Sequence, residues 1–185
     1  MPDEAGTVSP QEVEALLAAL VAIPSINPAF RRDAMPADWF GEERLALFVR
    51  DWLEGEGIEA RLDEVEPGRP NVVARLPGVE GGPRMIWEGH LDTVQVDGMS
   101  DPFAARIDDG RLYARGAVDD KGCLAMFMLA MRALKRRGGC GCDLTFVAAV
   151  SEEVAFEGGS AVAVDDQEVL AAVAKLARLR ASSSS

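Results

Sequence analysis

Apolar positions along the chain alternate between a helical and an extended period. Val13, Leu16, Leu17, Leu20 and Val21 repeat at helical spacing, which predicts one amphipathic helix. It opens at Ser9-Pro10-Gln11-Glu12, where Ser9 and Glu12 have capping-box spacing and Pro10 takes the first helical position. Pro24 ends it, and Ile23-Pro24-Ser25-Ile26-Asn27-Pro28 must be a rigid loop, because each proline lacks a donor and restricts its predecessor. Leu45, Phe48, Val49, Trp52 and Leu53 form a second stripe from about Gly41, with Gly57 as its stop. Ile58 to Val65 alternates like a half-buried strand, Pro67 to Pro70 turns the chain, and Asn71 to Leu76 is the next strand. Met85-Ile86-Trp87 then leads a buried strand into His90, and Asp108-Asp109-Gly110 predicts a hairpin turn. From Lys121 to Leu134 the residues are apolar nearly all round, which predicts a buried helix. Cations at Arg132, Lys135, Arg136 and Arg137 suit its carboxyl end, and Gly138-Gly139 stops it. Leu144 to Val150 is a continuous apolar run, the pattern of a strand covered on both faces. Strands alternating with helices predict an α/β fold with a mainly parallel, helix-flanked sheet.

Composition narrows the class. A chain of 185 residues, 48% hydrophobic, supports one core and no second complete domain; residues 1–180 are read as that domain. A helix is expected from about Glu168 to Arg180, followed by a disordered serine tail over 181–185. Net charge of -12 and a pI near 4.5 argue against nucleic acid or an anionic membrane as partner. The acidic, polar start has no signal-peptide pattern, and no apolar run reaches membrane-spanning length. The three cysteines fit a reducing compartment, so a cytoplasmic protein is expected. Cys140-Gly141-Cys142 lies in a glycine-rich turn, and its one-residue spacing matches zinc fingers poorly.

Charge gains chemical meaning from where it sits. His90, the single histidine, and Asp92 leave an extended chain on one face. That suits an imidazole binding metal through one nitrogen while a carboxylate fixes the ring through the other. Asp119 stands at the entrance to the buried helix, and Glu152-Glu153 follow the apolar strand directly. Carboxylates crowded at strand ends repel unless a cation neutralises them, and adjacent glutamates can divide metal ligation from proton transfer. The alternatives are a loop histidine, a helix-capping aspartate and a solvated acidic pair.

Four ordered motifs carry a resemblance. Ile23-Pro24-Ser25-Ile26-Asn27-Pro28, Gly89-His90-Leu91-Asp92-Thr93-Val94, Gly110-Arg111-Leu112-Tyr113-Ala114-Arg115-Gly116-Ala117-Val118-Asp119-Asp120-Lys121-Gly122 and Ser151-Glu152-Glu153 resemble the co-catalytic zinc amidohydrolases. That family includes acetylornithine deacetylase, succinyl-diaminopimelate desuccinylase, aminoacylase and glutamate carboxypeptidases. The resemblance covers residues 13–159. It implies a hydrolase of amide bonds in N-acyl amino acids or small peptides, using two zinc ions, with cobalt as a substitute. By the resemblance, His90 ligates one ion, Asp119 bridges both, Glu153 ligates the other, Asp92 orients His90 and Glu152 is the general base. It also implies a cis peptide after Asp119.

The chain departs from the family pattern as well. A further acidic ligand and a histidine near the carboxyl end have no match here, and Asp165 and Asp166 follow Glu153 too soon to replace them. The inserted lid domain is also missing, so the chain resembles the front of a catalytic domain with a short ending. Ala114 replaces a usual glycine. A truncated catalytic domain should leave apolar surface exposed and favour association. The alternative reading is an inactive remnant with at most weak metal binding, or a protein-interaction module.

Overall fold

A computed structural model describes residues 6–79 and 82–154. Asp165, Asp166, the helix expected from Glu168 and the serine tail lie outside the described residues. Helix α1 spans Pro10–Val21 and starts as the sequence dictates. The Ser9 hydroxyl accepts from the Glu12 amide at 3.3 Å, and the Glu12 carboxylate accepts from the Ser9 amide at 2.9 Å. Helix α2 spans Glu43–Gly55. It ends where Gly57, at φ +72°, turns the chain so that Ile58 donates back to Leu53 at 3.0 Å, a left-handed cap that a side chain would strain. Helix α3 spans Lys121–Arg136 and closes in the same manner, with Gly139 donating to Leu134 at 2.8 Å.

Strands β1 (Glu59–Glu66), β2 (Arg69–Leu76), β3 (Arg84–His90) and β6 (Asp143–Ala149) form one sheet in the order β1-β2-β6-β3. Strands β4 (Arg106–Asp108) and β5 (Arg111–Tyr113) form a separate hairpin. It turns at Asp109 (φ +48°) and Gly110 (φ +71°), as the Asp-Gly signal predicts. The helix-flanked α/β sheet agrees with the apolar pattern, but the pairing is mixed rather than mainly parallel. Among the described strands of this sheet, β3 and β6 run parallel, whereas β1 with β2 and β2 with β6 are antiparallel. The reason is topological: the link over 77–83 returns the chain as a wide hairpin, and β6 enters between its arms after the crossover through α3. A continuous apolar run reports burial on both faces and says nothing of direction.

All three helices pack on one face of the sheet. Leu16 and Leu20 of α1, Leu45, Val49 and Leu53 of α2, and Leu124, Met128 and Met131 of α3 meet Val72, Ala74, Leu144, Phe146 and Ala148 in one cluster. Phe127 stacks on Trp87 at 5.4 Å between ring centroids and meets Phe146 at 5.8 Å, holding α3 over β3 and β6. The all-round apolar reading of α3 is too broad, since Met126 is 56% exposed. Val147 and Ala149 are buried on the opposite face with Ile86. No helix among the described residues is long and apolar enough to cross a membrane.

A buried ion pair locks α2 to the sheet. The Glu42 carboxylate, 0% exposed, accepts from both Arg69 Nε at 2.9 Å and Nη2 at 2.6 Å, a bidentate arrangement. Removing one partner strands the other, so Glu42→Ala should destabilise the fold by about 3–5 kcal/mol. Ser9→Ala, losing only the α1 cap, should cost about 1 kcal/mol. Urea denaturation of both variants checks the ranking; equal, small losses would show that the pair contributes little.

Candidate metal centre

The site forms where three chain segments meet at one end of the sheet. His90 is the last residue of β3, and the ladder continues one step, with Leu91 donating to Ala149 at 2.7 Å. The proline-framed loop runs alongside: Thr93 donates to Ser25 at 3.0 Å, Asn27 donates to Thr93 at 2.9 Å, and the Ser25 hydroxyl donates to the Leu91 carbonyl at 2.7 Å. After β6, Ser151 takes a positive φ of 64° and swings Glu152 and Glu153 back toward β3. The Asn71 side-chain carbonyl accepts from the Val150 amide at 3.0 Å, fixing the end of that strand.

These segments converge on the Asp92 carboxylate, which is 0% exposed. It accepts from Asn27 Nδ2 at 2.7 Å, from the Glu152 amide at 2.9 Å and from the Glu153 amide at 3.0 Å. Burial alone would raise its pKa, but hydrogen bonds from His90, Asn27 and the two glutamate amides hold it below the usual carboxylate range. The His90 ring turns its Nδ1 toward the same residue, 3.0 Å from the Asp92 carbonyl and 3.4 Å from the carboxylate. Nδ1 is thus engaged, which leaves Nε2 facing Asp119 Oδ1 at 2.8 Å and Glu152 Oε2 at 3.8 Å.

Asp119 reaches this place through the turn that starts α3. The Asp119–Asp120 peptide is cis, and Asp120 Oδ2 accepts from the His90 amide at 3.0 Å. Gly89 makes room for that contact, because a Cβ there would fall 2.6 Å from Asp120 Oδ2 and 3.0 Å from Leu124 Cδ2. Asp119 does not cap α3; Asp120 occupies that position. Lys121, 0% exposed, ties the turn to the loop after α1 by donating from Nζ to the Ile23 carbonyl at 2.6 Å. Burial and the Arg44 charge lower its pKa to about 7.

One ligand atom each from His90, Asp119 and Glu153 lie within 4.8 Å of one another. Imidazole nitrogen and carboxylate oxygens are the donors of zinc and related divalent ions, so the residues fit such an ion. Electrostatics points the same way. Burial opposes a charge on His90, yet Asp92 and Asp119 hydrogen bonds and the Asp92 and Asp120 charges raise its pKa to about 10. Burial, then the charges of Asp119, Asp92 and Glu152, raise that of Glu153 against the pull of His90. Carboxylates gathered this tightly repel one another, and a cation would relieve that repulsion. Of the residues singled out in the sequence, His90, Asp92, Asp119, Glu152 and Glu153 all come together here.

Asn27, Asp120 and Lys121 lie inside motifs quoted above, but no reading of the sequence gave them a task. Asn27 holds the buried carboxylate that sets the spacing of His90 from the glutamates. Asp92→Ala should therefore weaken zinc binding by roughly 10–100-fold with the far-ultraviolet spectrum retained, and Asn27→Ala should act in the same direction to a smaller degree. Calorimetric titration with zinc measures both, and an unchanged affinity in Asp92→Ala would remove the carboxylate from the site's support.

Comparison with known proteins bears on ancestry. The model of peptidase family M20/M25/M40 matches residues 86–180. An N-formyl-4-amino-5-aminomethyl-2-methylpyrimidine deformylase of Halalkalibacterium halodurans is 33% identical over 154 residues, covering 78% of this chain and 33% of that protein. A succinyl-diaminopimelate desuccinylase of Rhodospirillum centenum is 38% identical over 133 residues, covering 68% of this chain and 31% of its own length. An M20 family metallo-carboxypeptidase from Sulfolobus solfataricus superposes with a TM-score of 0.65 at 26% identity, over 79% of this chain and 32% of that one. The chain thus spans about a third of the length of the relatives it matches. With that span, and with its motifs in the family's order, the chain belongs to peptidase family M20/M25/M40.

Proposed function

We propose that the chain supplies one side of a metal-dependent amide hydrolase centre acting on N-acyl amino acids or small peptides. The observation that supports this best is that His90, Asp119 and Glu153 offer ligand atoms within 4.8 Å of one another, with the buried Asp92 carboxylate holding His90 and the Glu152 and Glu153 amides in place. His90 through Nε2, Asp119 and Glu153 would hold the metal. A divalent ion, zinc by donor type and cobalt as a substitute, supplies a Lewis acid that polarises the amide carbonyl and acidifies water.

The chain's own residues do the rest. Asp92 is a positioning residue: it keeps the imidazole aimed and anchors the backbone of both glutamates. Glu152, its side chain 20% exposed, is open enough to take a proton from attacking water and to return it to the departing amine. Val118, 85% exposed, and Tyr113, 44% exposed on the hairpin, line one cavity with Asp119 and add apolar surface to it. Such surface suits acyl groups or side chains and would favour association. A cytoplasmic setting is part of this proposal.

Zinc-dependent cleavage of a panel of N-acyl amino acids tests the reading. Glu152→Ala should lower kcat by on the order of 10²–10⁴ while zinc binding persists; undiminished turnover would sink the assignment of the base. The inactive-remnant reading has its own support in the ligand set. Among the described residues, the three ligand atoms of His90, Asp119 and Glu153 are fewer than two tetrahedral ions take. Elemental analysis after dialysis against zinc should therefore give about one ion per chain. Two tightly held ions per chain would refute that reading and require ligands beyond these three.

A further inference from the structure

The turn that joins α3 to β6 holds a second pair of chemically active side chains, at the sheet end away from His90. Cys140 Sγ lies 3.5 Å from Cys142 Sγ and donates to the Cys142 carbonyl at 2.9 Å. Both thiols are half-buried and pack against the edge of the core. A disulfide bond is about 2.05 Å long, so closure needs an approach of about 1.5 Å, the scale of a side-chain rotation with a small turn adjustment.

The surroundings anchor the backbone of this pair. Asp143 donates to the Pro83 carbonyl at 2.9 Å, and the Asp143 carboxylate accepts from the Gly78 amide at 3.2 Å. Gly78 lets the neighbouring loop lie directly on the Cys142 backbone, where a Cβ would fall 2.2 Å from the Cys142 carbonyl carbon. Gly141, between the two cysteines, is different: a Cβ there would meet nothing within 4 Å. The fixed backbone keeps the two sulfurs adjacent. The sequence spacing alone matches zinc fingers poorly; the side-chain placement shows that the two sulfurs face each other.

We propose that Cys140 and Cys142 are a dithiol that a low-molecular-weight disulfide converts reversibly into an intramolecular disulfide, a modification site separate from the metal centre. One cysteine, as thiolate, attacks the small disulfide, forms a mixed disulfide and releases one small thiol. The other cysteine, 3.5 Å away, attacks the protein sulfur of that mixed disulfide. The Cys140–Cys142 bond forms, the mixed bond breaks and the second small thiol leaves. Two electrons pass from the cysteine pair to the small disulfide, and the two thiol protons end on the released thiols. The hydrogen bond with Cys140 keeps the Cys142 thiol above its usual range, so exchange should speed up as pH rises. Cys123 takes no part: its hydrogen bond to Asp120, with burial and the Asp120 and Asp119 charges, pushes its thiol up to about 11.

The full chain, equilibrated with oxidised and reduced glutathione in the presence of a chelator and quenched in acid, gives the test by intact mass. The expected product is lighter by two hydrogens and carries no glutathione. It persists in Cys123→Ser, and both Cys140→Ser and Cys142→Ser replace it with a glutathione adduct. At one glutathione ratio, the folded wild type should form roughly tenfold more of it than the same chain in urea, because the fold holds the sulfurs together. Stable adducts on the wild type, a disulfide-linked dimer or three retained thiols would each overturn the proposal, as would equal yields folded and unfolded.

Discussion

The Asp92 carboxylate is the interaction on which the site depends. A buried carboxylate is tolerated only when donors replace the water it has lost. Here each donor comes from a different part of the chain: Asn27 from the proline-framed loop, the Glu152 and Glu153 amides from the turn after β6, and the ring of His90 from the end of β3. Satisfying one charge therefore fixes the relative positions of three segments that are far apart in sequence. The energetic demand of the carboxylate and the geometric demand of the site are met by the same hydrogen bonds.

A second constraint is the repulsion that this economy creates. Asp92, Asp119, Asp120, Glu152 and Glu153 gather about one imidazole, and the fold holds them there by means outside the cluster. Asp120 is tied to the His90 backbone, and Lys121 pulls the α3 turn toward the loop after α1. The missing side chain at Gly89 allows the helix start to come this close to β3. The raised pKa values of His90 and Glu153 are the electrostatic mark of that crowding. A site that concentrates negative charge in this way is preorganised for a cation, because repulsion has already been overcome by folding.

Much of this was legible in the residues because the controlling forces are local. Ser9 and Glu12 announce α1 through backbone donors three residues apart, Gly57 announces the end of α2 through a left-handed turn, and Asp109-Gly110 announces the β4–β5 hairpin. The five candidate residues were legible because each follows an apolar strand or opens an apolar helix, and strand ends converge. Strand direction was not legible: Leu144 to Val150 reads the same whether its neighbours run parallel or antiparallel, and insertion of β6 between β2 and β3 is a long-range event. Nor could the sequence show that Asn27 reaches a carboxylate 65 residues away, or that Lys121 is a buried donor rather than a charge at a helix start. Those facts depend on which segments lie side by side.

The order β1-β2-β6-β3 also explains why chemistry and connection are segregated. Strands β3 and β6 run parallel and adjacent, so their carboxyl ends lie together and carry His90 and the glutamates. Their amino ends also lie together, at the opposite end, where Gly78 and Gly82 pack on the backbone of Cys142 and Gly141. Rigid, buried strands separate the two ends: Val147, Phe146 and Ala148 are fully enclosed and leave little freedom for one end to shift without the other. Parallel pairing of β6 with the terminal strand β3 is thus what lets α3 run from one end of the pair to the other. The turn before its first residue supplies Asp119, and its end leads into Cys140.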